Sequence, residues 1–150
     1  MMNGGAIVSK LEAARGDGAT RDALLREAVK LIEASKDDYD WVGVYLLDDG
    51  VLVLHNYIGE ETEHTRIDVG DGVCGTAVAE DRDLNIPDVH AIENYIACSI
   101  GTASEIVVLI RDAEGDVVGQ LDLDSDRRAA FGEQDETELR VVADWLGRLF

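Results

Sequence analysis

Two thiols and three carboxylates carry the chemistry open to this chain of 150 residues. Cys74 lies in Val73-Cys74-Gly75-Thr76-Ala77, and Cys98 closes Tyr95-Ile96-Ala97-Cys98. Glu105 opens Ser104-Glu105-Ile106-Val107, and Asp122 and Asp124 alternate with leucine in Leu121-Asp122-Leu123-Asp124-Ser125. A thiol can pass reversibly through sulfenic acid and disulfide. Crowded carboxylates attract a cationic group and cannot all ionise cheaply, so one of them keeps a proton to give away. The combination points to redox chemistry on a small polar molecule. Cys98 is followed by the Ser- and Gly-containing run to Ser104, and loops on a rigid scaffold are where chemistry concentrates. The competing reading makes both cysteines buried small hydrophobes and the two aspartates the solvated side of a half-buried strand. Neither cysteine belongs to a C-x-x-C pair, and His55, His64 and His90 lack zinc-ligand spacing. The sequence therefore predicts no metal and no other cofactor.

Positioning such groups requires strands. If Leu121 to Ser125 is extended, Asp122 and Asp124 share one face and the leucines the other; Trp41, Gly43 and Tyr45 share a face in the same way. Trp41 to Leu47 and Val51 to Tyr57 read as a hairpin across Asp48-Asp49-Gly50, whose Asp-Gly step favours a tight reversal. Thr65 to Val69 is a further strand before the Gly70-Asp71-Gly72 turn and a short helix over Val73 to Glu80. Ser104 to Arg111 and Val117 to Leu123 form a second hairpin. Leu24, Leu25, Ala28 and Ile32 fall at helical spacing within Thr20 to Lys36, as do Leu139, Val142, Leu146 and Leu149 near the C-terminus. Asp135 is expected as N-cap of that last helix, with Glu138 completing a box. Residues 1–19 read as a flexible arm or a short helix around Lys10 to Arg15, and residues 20–150 as a single domain. The fold class is α+β: a central antiparallel sheet of five or six strands flanked by N- and C-terminal helices.

Composition narrows the function. With 46% hydrophobic and 30% charged residues the chain falls in the soluble globular class. No apolar run approaches the ~20 residues of a membrane span, and the first ten residues lack a signal-peptide pattern, so a cytoplasmic protein with no membrane partner is expected. A formal net charge of -19 argues against nucleic acid, which is bound by clustered Lys and Arg. Lysine occurs only at Lys10, Lys30 and Lys36, a pattern that fits a halophilic protein, because at 1 M salt charges are screened beyond ~3 Å and self-repulsion costs little. The thermal midpoint is accordingly expected to rise steeply with sodium chloride between about 0.01 M and 1 M, where the Debye length falls from ~30 Å to ~3 Å. A flat or falling midpoint would leave the acidic surface as a solubilising feature only.

In order and spacing, the four stretches above, together with Ile86-Pro87-Asp88-Val89-His90 and Asp40-Trp41-Val42-Gly43-Val44-Tyr45-Leu46-Leu47, resemble the free methionine-R-sulfoxide reductases, small enzymes built on a GAF domain. The resemblance covers residues 20 to 148. It implies free methionine sulfoxide as substrate, Cys98 as the nucleophile on the sulfoxide sulfur, a thioredoxin-like reductant and a homodimer. Glu105, Asp122 and Asp124 would bind the substrate ammonium, with Glu105 and Asp124 also catalytic, and Trp41 and Tyr45 would line the pocket. The family often carries a third cysteine ahead of the Gly-rich turn, where this chain has His64. The sulfenic acid on Cys98 is then resolved either by Cys74 or by an external thiol; Cys74 is favoured. Asp88 is read as shaping a lid or turn rather than reacting, and His90 as a secondary acid-base candidate. A GAF module that binds a small ligand without turnover is the alternative function.

Overall fold

The computed structural model describes residues 2–92, 95 and 101–150. Its elements are α1 (Gly4–Gly16), α2 (Arg21–Glu33), β1 (Trp41–Asp48), β2 (Val51–Ile58), β3 (Arg66–Asp68), α3 (Gly72–Glu80), β4 (Leu84–Ile86), a 3-10 turn (Val89–Ala91), β5 (Ser104–Arg111), β6 (Val117–Ser125) and α4 (Glu133–Gly147). The strands form one six-stranded sheet in the order β3-β2-β1-β6-β5-β4, with every neighbouring pair antiparallel. The hairpin between β1 and β2 turns at Asp49 and Gly50, which both take positive φ (49° and 79°), the requirement that makes Asp-Gly a favoured pair there.

Period-two alternation divides the sheet into two faces. Val42, Val44, Ile106, Val108, Ile110, Leu121 and Leu123 join Leu24, Leu25, Ala28 and Ile32 of α2 and Leu139, Val142 and Leu146 of α4 in the main core. On the opposite face Trp41, Tyr45, Val107 and Leu109 pack with Val73, Cys74 and Ala77 of α3, forming a second, smaller core. Gly75 lets α3 approach β3 closely, since a Cβ there would collide with the Asp68 carbonyl. Among the described residues, no helix is long and apolar enough to cross a membrane.

Two expectations need correction. Residues 4–16 form a full helix rather than a flexible arm or a short helix at Lys10 to Arg15. Asn3 caps it, accepting the Ala6 N–H at 3.0 Å, and Ile7 and Leu11 enter the main core. Gly4 N–H donates to Glu138 at 2.8 Å and the Trp145 indole donates to Glu12 at 2.7 Å, tying α1 to α4. Two large apolar residues at i and i+4 are too few to announce a helix whose stability comes from tertiary packing. Asp135 is not the N-cap of α4: Gly132 is. Asp135 is the third helical residue and reaches back to accept the Gly132 N–H at 2.8 Å, while Glu138, expected to close the box, instead serves α1. Asp135 also takes hydrogen bonds from Lys36 (3.0 Å) and the Tyr39 hydroxyl. Burial pushes its carboxyl up, but the bonds from Tyr39, Gly132 and Lys36 outweigh this and hold it below the usual range.

Candidate functional site

The site is built on one row-by-row feature of the sheet. Antiparallel partners share a face, so the pairings Trp41 with Asp124 and Asp124 with Glu105 place an aromatic ring and two acids side by side. The next row holds Gly43, Asp122 and Val107, and the one after it Tyr45, Gln120 and Leu109. Glu105 is 1%, Asp122 0% and Asp124 1% exposed, so the alternation of Asp and Leu in β6 marks a strand buried on both sides. α3 covers this face, and β4 extends the sheet past β5, pairing Ile86 with Glu105 and taking Glu105 off the edge.

Cys74 comes to these acids from α3. Its thiol donates to Glu105 Oε2 at 3.7 Å, and one donor atom each from Cys74, Glu105 and Asp122 lies within 4.8 Å of the others. Glu105 Oε1 and both Asp124 carboxylate oxygens are buried with no donor among the described residues other than the neighbouring carboxyls. Burial, followed by the charges of Asp122 and Asp124, pushes the Glu105 carboxyl well above the usual carboxylate range. Burial and the charge of Asp122 raise Asp124 as well. These carboxyls therefore hold protons at pH values where exposed acids are fully ionised.

Aromatic groups wall the acids. Trp41 stacks on Tyr57 with centroids 5.3 Å apart and 16° between planes, lies 6.5 Å from the Tyr45 ring, and donates its indole N–H to the Glu60 carbonyl at 3.1 Å. Gly43 makes room, because a Cβ there would collide with the Trp41 ring. The Tyr45 hydroxyl donates to the His64 carbonyl at 2.7 Å, which ties the segment ahead of β3 to this aromatic wall.

The structure thus brings together Cys74, Glu105, Asp122, Asp124, Trp41 and Tyr45. Cys98 lies outside the described residues. Asp88 accepts the His90 N–H at 3.0 Å and caps the 3-10 turn, in keeping with a turn-shaping part, whereas the His90 side chain is exposed. Sequence reasoning missed two neighbours. Tyr57 supports Trp41, and Gln120 is fully buried with neither amide atom hydrogen-bonded among the described residues. The same alternation that assigned Asp122 and Asp124 to one face would have found Gln120.

An antiparallel sheet carrying helices on one face and a buried polar cluster under a short helix on the other fits a GAF domain, and the GAF family model matches residues 20–149. The free methionine-R-sulfoxide reductase of Escherichia coli (strain K12) is 40% identical over 127 residues, 85% of this chain and 76% of that protein. The type II free methionine-R-sulfoxide reductase from Thermoplasma acidophilum superposes with a TM-score of 0.83 at 39% identity, over 86% of this chain and 91% of that one. The free methionine-R-sulfoxide reductase from Neisseria meningitidis, solved in complex with its substrate, gives a TM-score of 0.87 at 34% identity over 96% and 86%. This chain belongs to the GAF-domain family and, within it, to the free methionine-R-sulfoxide reductases.

Proposed function

We propose that this chain reduces free L-methionine-(R)-sulfoxide to methionine, with Cys98 as nucleophile and the buried acids as the amino-acid pocket. The observation that carries the reading is the fully buried group of three carboxyls, Glu105, Asp122 and Asp124, beside the Cys74 thiol. A free amino acid brings an ammonium group that three carboxylates can hold. A methionine inside a polypeptide has no such group, so the same pocket accounts for a free substrate.

In the reaction, the Cys98 sulfur attacks the sulfoxide sulfur while the sulfoxide oxygen takes a proton from the acid cluster. Glu105 is the best-supplied donor, because its carboxyl is the group pushed up by burial and by both neighbouring aspartates. Oxygen passes to Cys98 as a sulfenic acid, the methionine sulfur gains two electrons, and methionine leaves. The Cys74 thiol then attacks the sulfenic sulfur, releasing water and leaving a Cys74–Cys98 disulfide, which a thioredoxin-like dithiol reopens by exchange. The Trp41 face suits the methyl and thioether end of the substrate, and Tyr45 fixes the wall through His64. A cytoplasmic setting, a homodimer and a salt-adapted surface are parts of the same proposal; the family resemblance supports the dimer, and the charge of -19 the last.

The test is incubation with each sulfoxide epimer and dithiothreitol, followed by amino-acid analysis. Methionine should form from the R epimer alone. Ligand binding without methionine release would leave a GAF binding module instead.

Cys74→Ser separates chemistry from recycling. It should release about one methionine per chain in a single turnover and then fail to cycle with thioredoxin, since a resolving thiol acts after oxygen transfer. Unimpaired thioredoxin-dependent cycling would assign resolution to an external thiol.

A further inference from the structure

No zinc motif is legible in the sequence, yet the fold assembles donors of zinc-binding type from three separate elements. Cys74 comes from α3, Glu105 from β5 and Asp122 from β6, all three buried, with one donor atom of each within 4.8 Å of the others. The 3.7 Å between Cys74 Sγ and Glu105 Oε2 is close to the separation of two ligands on a tetrahedral ion with metal–sulfur and metal–oxygen bonds of about 2.3 Å and 2.0–2.2 Å. Two neighbouring buried polar groups have room for a ligand's donors or charge. Gln120, in the row beyond Asp122, is fully buried with neither amide atom hydrogen-bonded among the described residues, and Asp124, in the row shared with Glu105, is buried with no donor there other than the neighbouring carboxyl.

We infer that the pocket is also a site for one thiophilic divalent cation of zinc type, held by Cys74, Glu105 and Asp122, with Asp124 beside it. A substrate ammonium brings one positive charge to three acids. A divalent ion brings two, and it ligates the thiol as well, so thiolate with carboxylate selects zinc or cadmium over magnesium or calcium. Three protein donors leave a fourth position open. Occupancy would place the ion where the ammonium is to sit and would tie up the sulfur assigned to resolution, making the ion an inhibitor of the reductase. This consequence rests on the proposed substrate pocket; the binding itself does not.

The test uses Cd2+ with the reduced Cys98→Ser protein, in which Cys74 is the sole cysteine. Equilibrium dialysis counts the ion and the sulfur-to-cadmium charge-transfer absorption reports its ligand. One Cd2+ per chain with that absorption is expected. Glu105→Gln, which keeps the thiol, should weaken binding at least about tenfold, and Cys74→Ser should abolish the absorption. Absence of the band, or affinity that Glu105→Gln leaves unchanged, would overturn the inference. So would binding that survives loss of both cysteines, which would place the ion elsewhere, such as the surface group Asp112, Glu114 and Asp116. Added methionine sulfoxide should displace the ion. Thiol- and Glu105-dependent binding without displacement would uphold the cation site and count against the substrate pocket.

Discussion

Cys98→Ser should lower turnover at least about 10³-fold, because loss of a covalent nucleophile leaves only binding and electrostatics to act on the substrate. The fold should not change: far-UV circular dichroism and the thermal midpoint of the variant should match those of the parent. The acids belong to β5 and β6, and Cys74 remains bonded to Glu105. Methionine sulfoxide should therefore still bind, as read by calorimetry, and binding without methionine release is the pattern that separates a lost nucleophile from a lost pocket. The rival nucleophile is Cys74. A folded Cys98→Ser protein that retains a tenth or more of the parent activity would transfer the attack to Cys74 and remove the resolving role proposed for it.

What the sequence made legible follows from what each signal measures. Period-two alternation reports which side chains share a face, so it put Asp122 with Asp124 and Trp41 with Tyr45, and the sheet register then aligned Trp41 with Asp124 and Glu105. Alternation does not report what covers that face. An acid-bearing strand beneath α3 and the Trp41 ring reads the same as one facing water, and only the structure separates them. β4 and the 3-10 turn, of three residues each, are too short to show a period. The start of α4 was displaced because Asp135 suits two capping positions, and the Gly132 N–H selects the reach-back one. α1 is hard to read from sequence because its support comes from Glu138 and Trp145, both more than a hundred positions away. The resemblance, by contrast, spoke directly to function, since it weighed the order of several stretches at once.

Stability should move opposite to activity at the acid cluster. Glu105 and Asp124 both have folded pKa values raised above their ordinary 4.5 and 3.8, so in the interval above those ordinary values the folded state holds more protons than the unfolded one. Stability then falls with rising pH across that interval, and the full penalty is present once pH exceeds the raised values. Asp135 has the opposite sign: its lowered pKa contributes stability that is present above 3.8 and is lost as pH falls through its folded value. Between these ordinary pKa values and neutrality, the acid cluster therefore makes stability fall as pH rises. Glu105→Gln removes one ionisable group from the crowd while keeping its shape, and should stabilise the fold at pH 8 by about 0.5–2 kcal/mol, at about 2–4 °C per kcal/mol for a chain of this size. The gain should shrink to near zero by pH 4, where the parent acid is largely protonated in both states. The same substitution removes the proposed proton donor, so the turnover number should fall by about 10²–10⁴. Asp124→Asn, if its carboxylate mainly holds the ammonium group, should act more on the Michaelis constant. Thermal melts from pH 4 to 8 beside steady-state kinetics of both variants decide the matter. A Glu105→Gln protein with unchanged turnover, or one whose melting difference from the parent does not grow with pH, would remove Glu105 from the role of buried acid.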